Sequence, residues 1–195
     1  RLKFQLTEVE RSFNLGCSGT EIIQEKCQHL PFLMQTQMCF LTRRKPLSMA
    51  EYEELKSLAL KSARDFLTMY EAVPDKDKSV LPVRQTFYGE IPRSAYEMYE
   101  HTKNVNAYYF GEIGVQADNN GTIEECRKRG FELLEHQPEF LENKVYLGSY
   151  DEEWSLREVL RRFIWHDRVH AKAMYRMAVK TFGNDVVPNV FSFDL

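Results

Sequence analysis

The chain has few of the patterns that would assign it to a specialised class of protein. Only four of its 195 residues are cysteines (Cys17, Cys27, Cys39 and Cys126), and they form neither a C-x-x-C pair nor the spacing of a disulfide framework. No apolar run approaches the roughly 18 residues that a membrane-spanning helix needs. We therefore expect a protein of the reducing cytoplasm that is not inserted in a membrane.

An excess of charge of either sign is also missing. The 26 basic and 29 acidic residues give a formal net charge of −3, which argues against a dedicated nucleic-acid-binding protein and provides no attraction to anionic membranes. The sequence contains no glycine-rich phosphate loop and no Ser-His-Asp signature. A basic stripe along the last predicted helix is interpreted as a solvated helix face: Arg161, Arg162, Arg168, Lys172 and Arg176.

What the chain does have, after residue 47, is helical pattern. Four Ser/Thr-x-x-Glu pairs, the signature of a capping box at a helix start, each precede a stretch with helical periodicity. The stretches predict four helices: Ser48 to Val73, Ser94 to Ile113, Thr122 to His136 and Ser155 to Phe182. Four amphipathic helices with modest connections favour an all-α fold, specifically a four-helix bundle.

Two segments outside these helices carry separate predictions. Residues 1–47 are interpreted as an N-terminal extension of α/β or irregular structure, with a short strand over Leu2 to Val9 and a helix over Thr20 to His29, ahead of a bundle domain over 48–195. A loop of about fifteen residues follows the third helix. Its apolar residues are expected to pack onto the bundle: Leu141, Val145, Tyr146 and Leu147.

The feature that points to chemistry is a pair of histidines, His166 and His170, four residues apart in the last helix. This spacing places both imidazoles on one side of a helix, one turn apart, where they can bind the same ion. At 100° per residue both fall within the apolar sector, so they are predicted to point into the bundle. Two core histidines, each hydrogen-bonded to a carboxylate or a carbonyl, are the alternative.

The second helix offers a third ligand, His101. Glu97, Tyr108 and Glu112 lie with it in an arc of about 60° on an ideal helix, which we interpret as the inner face. Three neutral nitrogens would leave a fourth position open, as in catalytic rather than structural zinc sites, and both zinc and nickel suit nitrogen ligands. An exposed histidine is the alternative for His101. Glu97 and Tyr108 are candidates for a contact with the bound ligands. The alternative for Glu97 is a capping-box partner of Ser94, and the alternative for Tyr108 is an ordinary core tyrosine.

Two stretches carry a family resemblance. The run from Trp154 to His170 is similar to the last helix of the DinB-like (YfiT-type) metalloproteins, and Tyr96 to Tyr109 resembles their second helix. The resemblance covers roughly residues 47 to 183, and residues 1–47 weakly resemble the tail of a module fused ahead of such bundles. It implies a four-helix bundle, often dimeric, that binds a divalent ion through three histidines, here His101, His166 and His170.

The resemblance also implies two classes of function. Some relatives transfer low-molecular-weight thiols to electrophiles, so a metal-dependent thiol transferase or hydrolase, acting on a small-molecule thiol or electrophilic substrate, is the first hypothesis. The second is a non-catalytic, stress-related metal-binding sensor or interaction module. Members of the family often have glutamine three residues after the second histidine of the pair, where this chain has Ala173, so the substrate of a transferase stays open.

Overall fold

Helices form most of the structure. A computed structural model describes residues 44–86 and 89–193. Its helices are α1 (Met49–Ala72), α2 (Ala95–Gly111), α3 (Ile123–Glu135) and α4 (Leu156–Phe182). The described part of the chain is therefore mainly α-helical, as predicted, and every helix lies within two residues of its predicted bounds. The strand and helix predicted within residues 1–43 lie outside the described residues.

The helix starts follow from their capping residues. Complete capping boxes, in which the hydroxyl and the Glu carboxylate each accept a backbone N–H, are present at Ser48, Ser94 and Thr122. Ser155 also caps α4 by accepting the backbone N–H of Glu158, at 3.4 Å. The Glu158 carboxylate, however, accepts from Arg162 at 2.9 Å, so the capping box predicted at this helix is only half formed. Gly183 ends α4 with a positive φ of 101°, which favours glycine, although its ψ of 175° is extended rather than left-handed.

The connections include two short antiparallel hairpins. β1 (Gln85–Thr86) pairs with β2 (Gly89–Glu90), and β3 (Tyr146–Leu147) pairs with β4 (Glu153–Trp154). The second hairpin overturns part of the prediction for the long loop: Leu141 is partly buried, but Leu147 is 75% exposed, and Val145 and Tyr146 are exposed as well. In the hairpin Leu147 lies opposite Glu153, on the other face from Trp154, and it is Trp154 that is fully buried.

The core lies between α4 and its neighbours. α4 packs against α1 and α2, and α3 packs against the same two helices. Phe110, Phe131 and Phe163 meet in the core at centroid separations of 5.2 to 6.3 Å. Gly130 sits in α3 because a Cβ there would lie 2.2 Å from the Phe110 ring. None of the helices in the described part of the chain combines the length and apolar character needed to cross a lipid bilayer.

Candidate metal centre

Three histidines meet between α2 and α4. The ring centroids of His166 and His170 are 4.4 Å apart, and the ring of His101 lies 5.2 Å from the first and 4.6 Å from the second. One ligand nitrogen from each ring lies within 4.8 Å of the other two. The structure thus brings together the three residues singled out from the sequence, in a group that could hold a metal ion.

The geometry of α4 explains the position of two of them. The helix runs for 27 residues without an internal glycine or proline, so the four-residue spacing of His166 and His170 is realised as one regular turn. His166 is 8% exposed and His170 is half-buried. Both therefore face inward from the helix, as the phase of its apolar residues predicted, and His170 lies nearer to solvent.

The structure places His101 beside the other two histidines, but the face of α2 predicted to point inward is wrong. Glu97, His101 and Tyr108 are exposed and Glu112 is only half-buried, so the arc that they share is not the inner face. The buried face, about a third of a turn away, carries seven residues: Ala95, Met98, Tyr99, Thr102, Asn106, Tyr109 and Phe110. His101 therefore reaches the other two histidines from the edge of α2, and the cluster opens to solvent on that side.

An unsatisfied nitrogen lies at the buried end of the cluster. Nδ1 of His166 is buried and has no hydrogen-bond partner among the described residues. Leaving a buried polar group unpaired costs about 1–3 kcal/mol. The alternative in which each core histidine is hydrogen-bonded to a carboxylate or a carbonyl therefore does not describe this atom of His166.

All three rings favour the neutral state. Burial lowers the pKa of His101 below its ordinary value. Burial, followed by the nearby His170, His101 and Arg127, holds the pKa of His166 well below that value. For His170, burial and the neighbouring His101 lower the pKa to about 4. Neutral imidazole is the form that binds metal ions, so no proton needs to be displaced near neutral pH.

The two weak candidates from the sequence have other partners. The Glu97 carboxylate accepts backbone N–H groups from Arg93 at 2.6 Å and Ser94 at 3.1 Å, which makes it the capping-box partner weighed as its alternative. Tyr108 is 38% exposed and its ring packs edge-on against Trp154. Burial and the nearby Glu112 carboxylate raise the pKa of Tyr108 to about 12, so its hydroxyl stays protonated.

Tyr109, which was not among the residues predicted for the site, has a ring that contacts the cluster. It is 6% exposed, and its ring stands edge-on to His166 at 6.0 Å and packs on Phe163 at 5.3 Å. Burial raises the pKa of the Tyr109 hydroxyl. The sequence shows that Tyr109 lies eight residues after His101. Predicting that its side chain points inward, however, required knowing which face of α2 is buried.

Behind the histidines lies a buried ion pair that the sequence did not reveal. Asp167 accepts two hydrogen bonds from Arg127 of α3, at 2.5 and 3.2 Å. Both side chains are fully buried. Arg168 donates to the Phe191 carbonyl at 3.0 Å. From the periodicity of α3 alone, Arg127 is predicted to be an ordinary exposed charge, because the residues near it in the sequence do not indicate a buried partner.

The charged residues that neighbour the histidines along α2 and α4 all form hydrogen bonds or ion pairs with other protein groups. The positions three and four residues from each histidine are its surface neighbours on a helix. Only three of these carry charge: Glu97, Arg162 and Asp167. Glu97 caps α2, Arg162 donates to Glu158 and Glu152, and Asp167 binds Arg127. In this arrangement none of the three is free to act as a fourth ligand or as a base.

The donor set suits a transition-metal ion. Three neutral imidazoles are typical ligands of zinc and nickel, and the unpaired His166 nitrogen shows that the protein's own groups do not fully satisfy the cluster. His136, the other histidine among the described residues, is exposed at the end of α3, with Nδ1 against the Glu132 carbonyl. Comparison with protein-family models, with curated proteins and with solved structures finds no match to this chain.

Proposed function

We propose that this chain forms a DinB-like four-helix bundle that binds one divalent transition-metal ion, zinc or nickel, through His101, His166 and His170. The observation that carries the proposal is the convergence of three imidazoles from two helices, one of them with a buried nitrogen that has no hydrogen-bond partner among the described residues. The motifs in α2 and α4 that resemble the DinB-like family support the same ligand set.

We further propose that the site activates a small molecule. A dication held by neutral ligands lowers the pKa of a bound thiol or water and so supplies a nucleophile at neutral pH. The two sides of the site differ. On the buried side Tyr109, itself packed on Phe163, lies against His166, while exposed His101 leaves the other side accessible to a thiol or an electrophilic substrate. This arrangement supports a metal-dependent thiol transferase or hydrolase.

One observation favours the second candidate, a non-catalytic metal-binding sensor or interaction module. Each charged residue next to a histidine along the helix surface is engaged by another protein group, so in this conformation none is positioned as a general acid or base. A thiol transferase can operate without such a group because the bound thiolate is itself the nucleophile. A hydrolase has the greater need of a base, which makes it the weaker of the two enzymatic versions.

Metal analysis of protein purified without a metal-affinity tag tests the shared premise. We expect about one equivalent of zinc or nickel after reconstitution, and each of His101→Ala, His166→Ala and His170→Ala should lose it, since two ligands are too few. The matched control is His136→Ala, which removes a histidine outside the cluster and should keep full occupancy. Failure of the wild-type protein to retain either metal would refute the proposal, and full occupancy in the His101 variant would show that the third ligand is misassigned.

Turnover separates the two candidates. The metal-loaded protein should accelerate the reaction of at least one thiol with an electrophile such as a maleyl compound, and the metal-free protein and the His170→Ala variant should not. The rate should saturate with the thiol, because the thiol binds before it reacts. Absence of metal-dependent turnover across a panel of thiols, electrophiles and ester substrates would favour the sensor or interaction module.

A further inference from the structure

The buried Arg127–Asp167 ion pair lies directly beside the two histidines of α4. Asp167 directly follows His166 and precedes His170 by three residues, so it lies on the inner side of the same turn of α4. Its carboxylate accepts hydrogen bonds from both terminal nitrogens of Arg127, at 2.5 and 3.2 Å. Such a bidentate contact restricts orientation as well as distance.

The arginine links three helices at this level. Arg127 comes from α3, whose backbone makes few close approaches to α4, and its side chain crosses the interior to reach Asp167. It also donates to the Ala59 carbonyl of α1, at 3.4 Å, and its guanidinium carbon lies 4.0 Å from the centroid of the Phe163 ring of α4. The turn that carries both histidines is therefore tied to α1 and α3.

Stability alone is a poor explanation for this pair. Two fully buried charges bring a desolvation penalty that their mutual attraction often only offsets, and well-packed apolar residues of similar volume commonly do as well or better. Nε of Arg127 is in addition buried, with no hydrogen-bond partner in the part of the chain that the structure describes. A different benefit is fixed orientation, which an apolar contact defines less sharply because it has no preferred direction.

A metal centre would need that orientation. An imidazole nitrogen lies about 6 Å from the axis of its helix, so a rotation of α4 by about 20° would shift it by about 2 Å. Metal–ligand distances tolerate only about 0.2 Å. Because His101 approaches from a different helix, the three nitrogens converge only if the rotation of α4 is held, and Asp167 lies within the turn where it must be held.

We infer that Arg127 and Asp167 are positioning residues for the three-histidine centre: they hold the rotation of α4 so that His166 and His170 face His101. The inference rests on the proposed metal-binding function. Neither residue is expected to touch the ion or a substrate. Their effect should therefore appear in the metal affinity and in the ligand geometry of the site, and not only in the stability of the fold.

The test replaces both charges together. In Arg127→Met/Asp167→Leu the core stays filled, so urea unfolding of the metal-free protein should occur at the wild-type midpoint or above it. Zinc affinity, measured by competition with a chromophoric chelator, should nevertheless fall about 10- to 100-fold. The visible absorption bands of the cobalt-substituted protein should also shift, reporting altered ligand geometry. The matched control, Lys56→Met/Glu135→Met, removes a partly buried α1–α3 ion pair away from the histidines. It should change neither the zinc affinity nor the cobalt absorption bands.

A second variant decides the matter if the double variant does not fold. Arg127→Lys keeps the buried positive charge but loses the bidentate grip, so it should fold, bind zinc more weakly than wild type and show shifted cobalt bands. Wild-type zinc affinity and cobalt bands in a folded double variant, or in Arg127→Lys, would overturn the inference. Failure of the wild-type protein to bind zinc, nickel or cobalt would instead overturn the proposed function, so the two failures are distinguishable.

Discussion

Burial of His170 should make the metal-free protein sensitive to mild acid. Burial and the neighbouring His101 lower the pKa of His170 to about 4 in the folded chain, whereas an unfolded histidine titrates near 6.5. Between these values the unfolded state binds a proton that the folded state does not, so protons favour unfolding. The stability is therefore fully present above the unfolded value and is lost as the pH falls from about 6.5 towards about 4.

The size of the effect follows from the two pKa values of His170. Between about pH 7.5 and about pH 5 this residue alone should remove about 2 kcal/mol from the free energy of unfolding. The assay is urea unfolding of metal-free protein, with a chelator present, at both pH values. His166, whose pKa is lowered further, adds to the loss in the same direction.

The comparison with His170→Gln isolates the contribution of His170. Glutamine takes up no proton, so this variant should lose about 2 kcal/mol less than wild type over the same interval. The matched control is His136→Gln, which removes an exposed histidine and should keep the wild-type pH dependence. Equal losses of stability in wild type and His170→Gln would refute the reasoning, because they would mean that His170 titrates alike in the folded and unfolded chains.

Three further outcomes test packing, capping and metal binding. Gly130→Ala should destabilise the fold by about 1–3 kcal/mol, because its Cβ would meet the Phe110 ring, whereas Gly111→Ala, with open space around the new Cβ, should not; both are measured by urea unfolding. Ser94→Ala should cost about 1 kcal/mol in the same assay through loss of the α2 cap. Zinc at about 100 times its dissociation constant should stabilise the wild-type protein by about 2.7 kcal/mol in thermal unfolding, and His166→Ala should lose this gain.

The helices were predictable because their signals are local. A capping box involves residues three apart, and proline and glycine act on the backbone where they stand, so every helix was placed to within two residues. The long loop was less predictable. Whether Leu147 or Trp154 enters the core depends on the pairing of β3 with β4, and an apolar residue fits either outcome until that pairing is known.

The site was predictable in part for the same reason. The inward direction of His166 and His170 followed from the apolar residues around them on a long, regular helix. The face of α2 was misjudged because aromatic, charged and polar residues alternate along it, and its periodicity does not distinguish Tyr108 from Tyr109. His101 was nevertheless singled out as a candidate by its residue type, and the structure places it beside the other two histidines.

The sequence by itself determined the helices, their caps and the pair of imidazoles one turn apart, because each depends on residues within a few positions of one another. Only the tertiary structure decided that His101 joins them, that Tyr109 rather than Tyr108 stands against His166, and that Arg127 reaches Asp167 across the interior. These contacts join different helices, and their distances depend on how the helices are rotated and packed, which local periodicity does not encode.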